Sequence, residues 1–343
     1  MLARRALPQA KLGATNVSVF TKRTTKGTLS LMRWLFGRLD WPITWLEGGV
    51  CTCRPIAGIQ VLAVSGIEVE PIFLQDQVVG SVFNDGEARH CFLGGILPRD
   101  SLASRDYQTG QAYEQLEIAL AQIGMDLSHL VRTWFFLDSI LAWYREFNEV
   151  RNEVYVQRRL LEGLVPASTG IGGRNPNGAA LTVGSWAMQP LHGTVCAAAA
   201  PSPLQCPAPT YGSFFSRAVE ITAPDLRRLI VSGTASITPD GHTAHVGDLS
   251  GQIDLTFRVV KAILESRGMN FSNTVRAIAY LKRANDGPFF ERWCRKRGLE
   301  SLPMLTTRAD VCRDDLLFEL ELDAIAPDQS CLAVNRETRS ADL

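Results

Sequence analysis

The chain has 343 residues, 46% hydrophobic and 20% charged, and its 35 basic residues balance 35 acidic ones. That length and composition fit a globular protein of about two domains with a substantial core. The even charge gives no global field for nucleic acid or a membrane surface, and no apolar run reaches the ~18 residues of a membrane-crossing helix.

The first residues differ from the rest. Arg4, Arg5, Lys11, Lys22, Arg23, Lys26, Arg33 and Arg38 face one acid, Asp40. Arg-rich, Ser/Thr-bearing and acid-poor is the composition of a transit peptide. A disordered extension or a mis-assigned start explains it equally well, so residues 1–50 are read as lying outside the fold.

Two stretches further on repeat each other. The strand RHCFLGGI (89–96) leads into a helix from Gly110-Gln111, with Leu116, Ala119, Leu120 and Ile123 at i, i+3, i+4, i+7 spacing. The helix ends at Gly124-Met125, where glycine suits a left-handed cap. Asp126-Leu127-Ser128, Val131-Arg132 and the strand TWFFL follow, then a helix over 141–158 and the strand ALTVGSWAM (180–188). A Pro/Ser/Ala-rich segment near 199–206 separates this from a second copy. The copy runs RRLIVSGTASI (227–237), Gly251-Gln252, the stripe Phe257, Val260, Ile263 and Leu264, then Gly268-Met269, Asn270-Phe271-Ser272 and Val275-Arg276. The strand AIAYL, a helix over 287–297 and the strand LLFELELDAIAP (316–327) complete it.

The expected fold is α+β: two tandem units, 51–198 and 199–327, each a mixed sheet with helices on one face, and a tail over 328–343. Sheets of this kind close into barrel-like cores with copies of themselves, so a two-unit chain is expected to need further chains to close a ring.

Eight cysteines are scattered without a CxxC pair, and the five histidines show no zinc-type spacing. They are read as free thiols in a reducing, cytoplasmic setting, with no metal. GIGGRNPNG does not fit GxGxxG and precedes a strand rather than a helix.

The last strand carries Glu319, Glu321 and Asp323 on one face and Leu320, Leu322 and Ala324 on the other. A solvated sheet face accounts for that pattern as well as a functional one does.

LIVSGTASI, GQIDLTFRVVKAILESRGM, VRAIAYL, TTRADVC and ELELDAIA resemble the YjgF/RidA superfamily, a chorismate-mutase-like fold. With SPLQCPAPTYGSFFSRAVEI (202–221) and PASTGIGGRNPNGAAL (166–181), the chain resembles the chorismatases, which are built from two such units, over roughly residues 55–327. The resemblance implies a cofactor-independent enzyme that cleaves the enolpyruvyl ether of chorismate to pyruvate. The second product is 3-hydroxybenzoate, 4-hydroxybenzoate or a dihydroxycyclohexadiene carboxylate. It also implies a homotrimer and no nucleic-acid or membrane partner. An imine-hydrolysing enzyme of RidA type and a non-catalytic metabolite-binding protein are the alternatives.

Protonating an enol ether needs a carboxyl group held un-ionised near neutral pH. The resemblance places it at Glu319, with Glu321 favoured by a second alignment. Cys312 sits where a cysteine goes with 3-hydroxybenzoate formation, its thiol activated if cations such as Arg308 and Arg313 lower its pKa. Ala235 is the choice of the other subfamily, so the two positions point to different products. The substrate's two carboxylates call for arginines: Arg217, Arg308 and Arg151, with Tyr211, Ser216, Ser168 and Thr169 as hydrogen-bonding partners.

Overall fold

The computed structural model of the chain describes residues 12–21, 40–48 and 56–328. Its first strands are β1 (Leu12–Thr21), β2 (Ile43–Glu47) and β3 (Ile56–Ser65). The first unit follows as β4 (Glu70–Leu74), β5 (Gln77–Asn84), β6 (Ala88–Ile96), α1 (Arg105–Ala121), β7 (Leu130–Leu137), α2 (Tyr144–Gln157), β8 (Ala167–Gly172) and β9 (Leu181–Pro190). The second repeats it as β10 (Cys196–Ala200), β11 (Ala218–Thr222), β12 (Leu226–Ala235), α3 (Leu249–Glu265), β13 (Thr274–Leu281), α4 (Gly287–Lys296), β14 (Met304–Arg308) and β15 (Phe318–Pro327).

The two six-stranded sheets have the same order, β4-β5-β6-β9-β7-β8 and β10-β11-β12-β15-β13-β14. In both, the only parallel pair is the one at the edge, β7 with β8 and β13 with β14. This is the α+β duplication read from the sequence. Each unit has three strands beyond those named from the sequence, two leading ones and the parallel edge one. Sequences such as CAAAA and ASTGIG lack the β-branched alternation that marks a strand. The second sheet also starts slightly before residue 199, because Cys196 already pairs with Thr222.

The repeated motifs do repeated jobs. Leu116, Ala119 and Leu120 of α1 pack on Leu93, Phe135 and Val183 of the first sheet. Phe257, Val260, Ile263 and Leu264 of α3 pack on Leu229, Leu320 and Leu322 of the second. Gly124 (φ +69) and Gly268 (φ +65) end the two helices in the left-handed region. The amides of Met125 and Met269 then reach back to the carbonyls of Leu120 and Leu264 at 3.1 and 2.9 Å, as a left-handed helix terminus requires.

The faces of the sheets away from the helices meet in shared cores, and a third wall comes from residues expected to lie outside the fold. β1 pairs in parallel with β2 and antiparallel with β3. Phe20 and Leu46 join Phe136 and Ile171 of the first unit and Ile278 and Tyr280 of the second in one buried cluster. Apolar side chains at Val17, Val19 and Phe20 explain why this part of the basic N-terminal stretch folds. The remaining basic residues of that stretch, and the tail beyond Asp328, lie outside the described residues. Among the described residues, no helix is long and apolar enough to cross a membrane, no cluster of His, Cys, Asp and Glu is arranged to hold a metal, and Cys91, Cys196, Cys206, Cys294 and Cys312 are free thiols.

Candidate active site

A cavity of ≈ 730 Å³ lies where the two units and the segment joining them meet. The first unit contributes Tyr144, Asn148 and Arg151 from α2 and Ser168 and Gly170 from β8. The second contributes Gly233 and Ala235 from β12, Cys312, Arg313 and Glu319. The joining segment contributes Tyr211, Ser213, Phe215 and Arg217.

The acidic face of β15 is divided three ways. Glu319 lines this cavity and is only 4% exposed. Its carboxyl meets no protein hydrogen-bond donor among the described residues. Burial first, and the Glu321 charge second, push its pKa up to about 8 against the pull of Arg132. Glu321 is fully buried and does not line the cavity. It accepts from Arg132 Nη2 at 2.8 Å, from Trp134 Nε1 at 3.1 Å and from Arg276 Nη2. Burial opposes its ionisation, but Arg276 and Arg132 prevail and hold its pKa below the usual range. Asp323 lines a different cavity. Of the two candidate acids, Glu319 lines the cavity and Glu321 is sealed behind it as a counter-ion to two arginines.

Local backbone structure makes room for Glu319. β12 slips register between Val231 and Thr234, and Ala235 then pairs with Glu319. A Cβ on Gly233, which sits inside that irregularity, would come within 2.1 Å of Glu319 Oε1. Thr169 fixes the site from the other unit: its Oγ1 accepts from the Gly233 amide at 3.0 Å and from Arg132 Nη2 at 2.6 Å. A bulge of this kind re-aims a side chain at a functional surface.

Cations and aromatic rings alternate along the opposite wall. Arg217 lies over Tyr211 and Phe215, Arg151 over Phe147 and Phe215, and Arg313 over Tyr211. Arg217 donates through Nε and Nη2 to the Cys206 carbonyl at 3.0 and 2.9 Å, Arg151 donates through Nη2 to Asn148, and Arg313 donates through Nη1 to the Gly241 carbonyl at 2.8 Å. Each keeps further N–H groups for a ligand, and three guanidiniums in one cleft suit a dianion.

Several sequence candidates sit elsewhere. Arg308 is at the end of β14, paired with Leu281. That register turns its guanidinium to the Lys282 and Gly48 carbonyls, both at 3.3 Å, and to Asp310 at 3.4 Å, away from the cavity. Ser216 donates to the Val165 carbonyl at 2.6 Å and ties the units together. Thr169 positions Gly233 and Arg132 from behind the wall. Ser168 lines the cavity and accepts from Thr133 Oγ1 at 2.9 Å. The expected activation of Cys312 is also corrected: burial and the nearby Glu319 push its thiol up to about 12, outweighing Arg313.

Tyr144, Asn148 and Phe215 were not singled out from the sequence. Nor were Arg132 and Arg276, although the Val-Arg pair present in both copies held them in view. The duplication itself was the available signal, since both arginines end on one carboxylate.

The cleft between the duplicated sheet units thus combines one carboxyl of raised pKa with three arginines. Residues 80–185 match the family model described as chorismatase FkbO/Hyg5-like, N-terminal. A 3-hydroxybenzoate synthase of Streptomyces hygroscopicus is 29% identical over 266 residues, 69% of this chain and 74% of that protein. A chorismatase of the same organism is 27% identical over 212 residues, 56% of this chain and 60% of that protein. A chorismatase crystal structure shares the fold at a TM-score of 0.70 and 18% identity, covering 93% of this chain and 98% of that one. The chain is thus similar to chorismatases in sequence over about two thirds of its length and in fold over most of it.

Proposed function

We propose that the chain cleaves the enolpyruvyl ether of chorismate, releasing pyruvate and leaving the ring as 3-hydroxybenzoate. The observation that carries the reading is Glu319: a carboxyl at the cavity wall with a pKa of about 8, hence protonated at neutral pH. An enol ether is stable until its methylene carbon is protonated. The Glu319 O–H supplies that proton, and the adjacent carbon becomes an oxocarbenium ion. Glu319 is left ionised beside Glu321, a state disfavoured by like charge, so recovery of the proton is favourable.

Arg151, Arg217 and Arg313 receive the two carboxylates of the substrate and hold the ether toward Glu319. Water or the neighbouring ring hydroxyl then adds to the cation and gives up its proton. The water adduct collapses to pyruvate and the ring diol. The cyclic ketal from the hydroxyl instead loses a ring proton, which the Cys312 thiol assists, breaks one ring C–O bond to become aromatic, and collapses to pyruvate and hydroxybenzoate. Pyruvate plus hydroxybenzoate is isomeric with chorismate, so that outcome consumes no net water, whereas the diol outcome consumes a water molecule. Cys312 in the same cavity as Glu319 supports the hydroxybenzoate outcome. The high thiol pKa requires that Cys312 act as a thiol that loses its proton during the step, not as a standing thiolate.

The test is to incubate the protein with chorismate, follow pyruvate and separate the ring products by chromatography. Pyruvate with 3-hydroxybenzoate is expected. Absence of pyruvate overturns the reading, and pyruvate with only a diol overturns the product assignment.

A further inference from the structure

A second cavity of ≈ 460 Å³ opens between the three sheets, at the Asp323 end of β15. Phe20, Phe92, Trp134, Phe136 and Trp186 line it with aromatic surface. Arg228, Arg276 and Asp323 line it with charge. Residues Ile59 and Val61 of β3, 41% and 58% exposed, stand at its rim.

Arg228 and Arg276 stand in its wall beside Asp323. Arg132 and Arg276 close on Glu321 at the inner end, and Arg276 Nη1 stands 3.5 Å from Asp323 Oδ1. Gln60 Oε1 holds Arg276 Nε at 2.9 Å. Arg228 is left over. Its guanidinium lies 5.1 Å over the Trp186 ring, and among the described residues it has no hydrogen bond and no ion pair. The other nearby carboxylate, Asp85, is taken up by His90 Nε2 at 2.9 Å and by the amides of Glu87 and Ala88. A half-buried guanidinium stacked on an indole, with no N–H group committed to the protein, leaves its whole fork open to an acceptor entering the cavity.

We propose that this cavity is a second binding site, separate from the one holding Glu319, for a monocyclic aromatic carboxylate. The carboxylate pairs with Arg228 in a charge-assisted hydrogen bond of the fork type. The ring lies among the five aromatic side chains, where offset and edge contacts add to simple burial. The volume admits one substituted benzene ring with room for ring hydroxyls.

Benzoate is the probe, titrated by tryptophan fluorescence and calorimetry into the wild type, Arg228→Met and Arg217→Met, with acetate as the ringless control. The expected result is saturable binding that weakens roughly tenfold or more in Arg228→Met, as loss of a charge-assisted hydrogen bond demands, and that persists in Arg217→Met. Acetate should bind at least roughly tenfold more weakly. A melting curve checks that Arg228→Met folds. If it does not, Val61→Trp, which fills the mouth from an exposed position, should give the same loss. Absence of benzoate binding, or binding that follows Arg217 and ignores both Arg228 and Val61, overturns the proposal. Equal affinity for acetate overturns the aromatic assignment.

Discussion

Glu319 and Glu321 stand two residues apart on one face of β15, and the protein drives their acidities in opposite directions. The inner one is clamped by Arg132, Arg276 and Trp134 and stays ionised. The outer one faces the cavity without a protein donor, and burial plus its neighbour's charge keep it protonated. In the proposed reaction these separated titrations give Glu319 the role of acid and Glu321 that of electrostatic partner.

This pairing fixes a pH dependence. The proton donor is protonated Glu319, whose pKa is raised to about 8. Turnover should be full below that pH and fall as pH rises through it. Glu321→Gln removes the negative charge that helps raise Glu319 while Arg132 remains, so the fall should begin at lower pH. The measurement is kcat against pH for both proteins, with circular dichroism to confirm folding. A limb that does not move would show that Glu321 does not set the acidity of Glu319.

Glu319→Gln should lower kcat by roughly 10²–10⁴-fold, the usual range for losing a positioned general acid. It should also change stability in a pH-dependent way. In the unfolded chain the carboxyl ionises near 4.5, in the folded chain near 8. Between those values the folded state binds more protons, so wild-type stability falls with rising pH, at most about 1.4 kcal/mol per pH unit. The glutamine cannot ionise and has no such slope. The variant should therefore have the higher Tm relative to wild type at pH 8 and lose that advantage at pH 4.5 and below. Parallel melting curves at the two pH values check the sign.

Gly233→Ala should lower kcat sharply without unfolding the protein. The new methyl would lie 2.1 Å from Glu319 Oε1 and 3.1 Å from Thr169 Cγ2. Glu319 ends in a flexible carboxyl that can swing away, so relief comes by displacing the acid, and a misplaced catalytic group costs on the order of 10²-fold. Comparison of kcat with the urea midpoint separates a displaced acid from a damaged fold.

The duplication and its chain order were legible because helix stripes, Gly-Met stops and Val-Arg pairs recur in register. Glu319, Cys312, Arg217, Arg151, Tyr211, Ser168 and Ala235 do converge on one cavity. Arg308 does not, because its side is decided by the register of β14 on β13, which no local pattern encodes. Tyr144 and Asn148 were invisible for a related reason. An amphipathic helix shows which face is apolar, but not that its other side forms the wall of a cleft with the second unit. The strands β1 and β2 were hidden by a basic composition that outweighed short apolar runs such as Val17–Phe20.

Those strands bear on assembly. A two-unit chain was expected to recruit further chains, yet here the third wall around the shared core comes from the same chain through Phe20 and Leu46. With that side filled internally, light scattering after size-exclusion chromatography should give a mass near the single-chain 37.7 kDa. A trimer would mean that the chains associate through another surface.

The last prediction concerns Cys312. Glu319 and Cys312 line one cavity, and the Glu319 charge makes thiolate formation harder rather than activating the thiol. Ether protonation does not need the thiol, whereas steering of the ring toward 3-hydroxybenzoate does. Cys312→Ala should therefore keep pyruvate release within about tenfold of wild type, a small loss beside the 10²–10⁴-fold effect of removing an acid. The ring product should shift from 3-hydroxybenzoate toward the water-derived diol, because a methyl in place of the thiol leaves space for solvent at the cation. Chromatography of the ring products checks the shift. Unchanged 3-hydroxybenzoate would reduce Cys312 to a packing residue, and loss of pyruvate in step with hydroxybenzoate would place the thiol before the cleavage instead of after it.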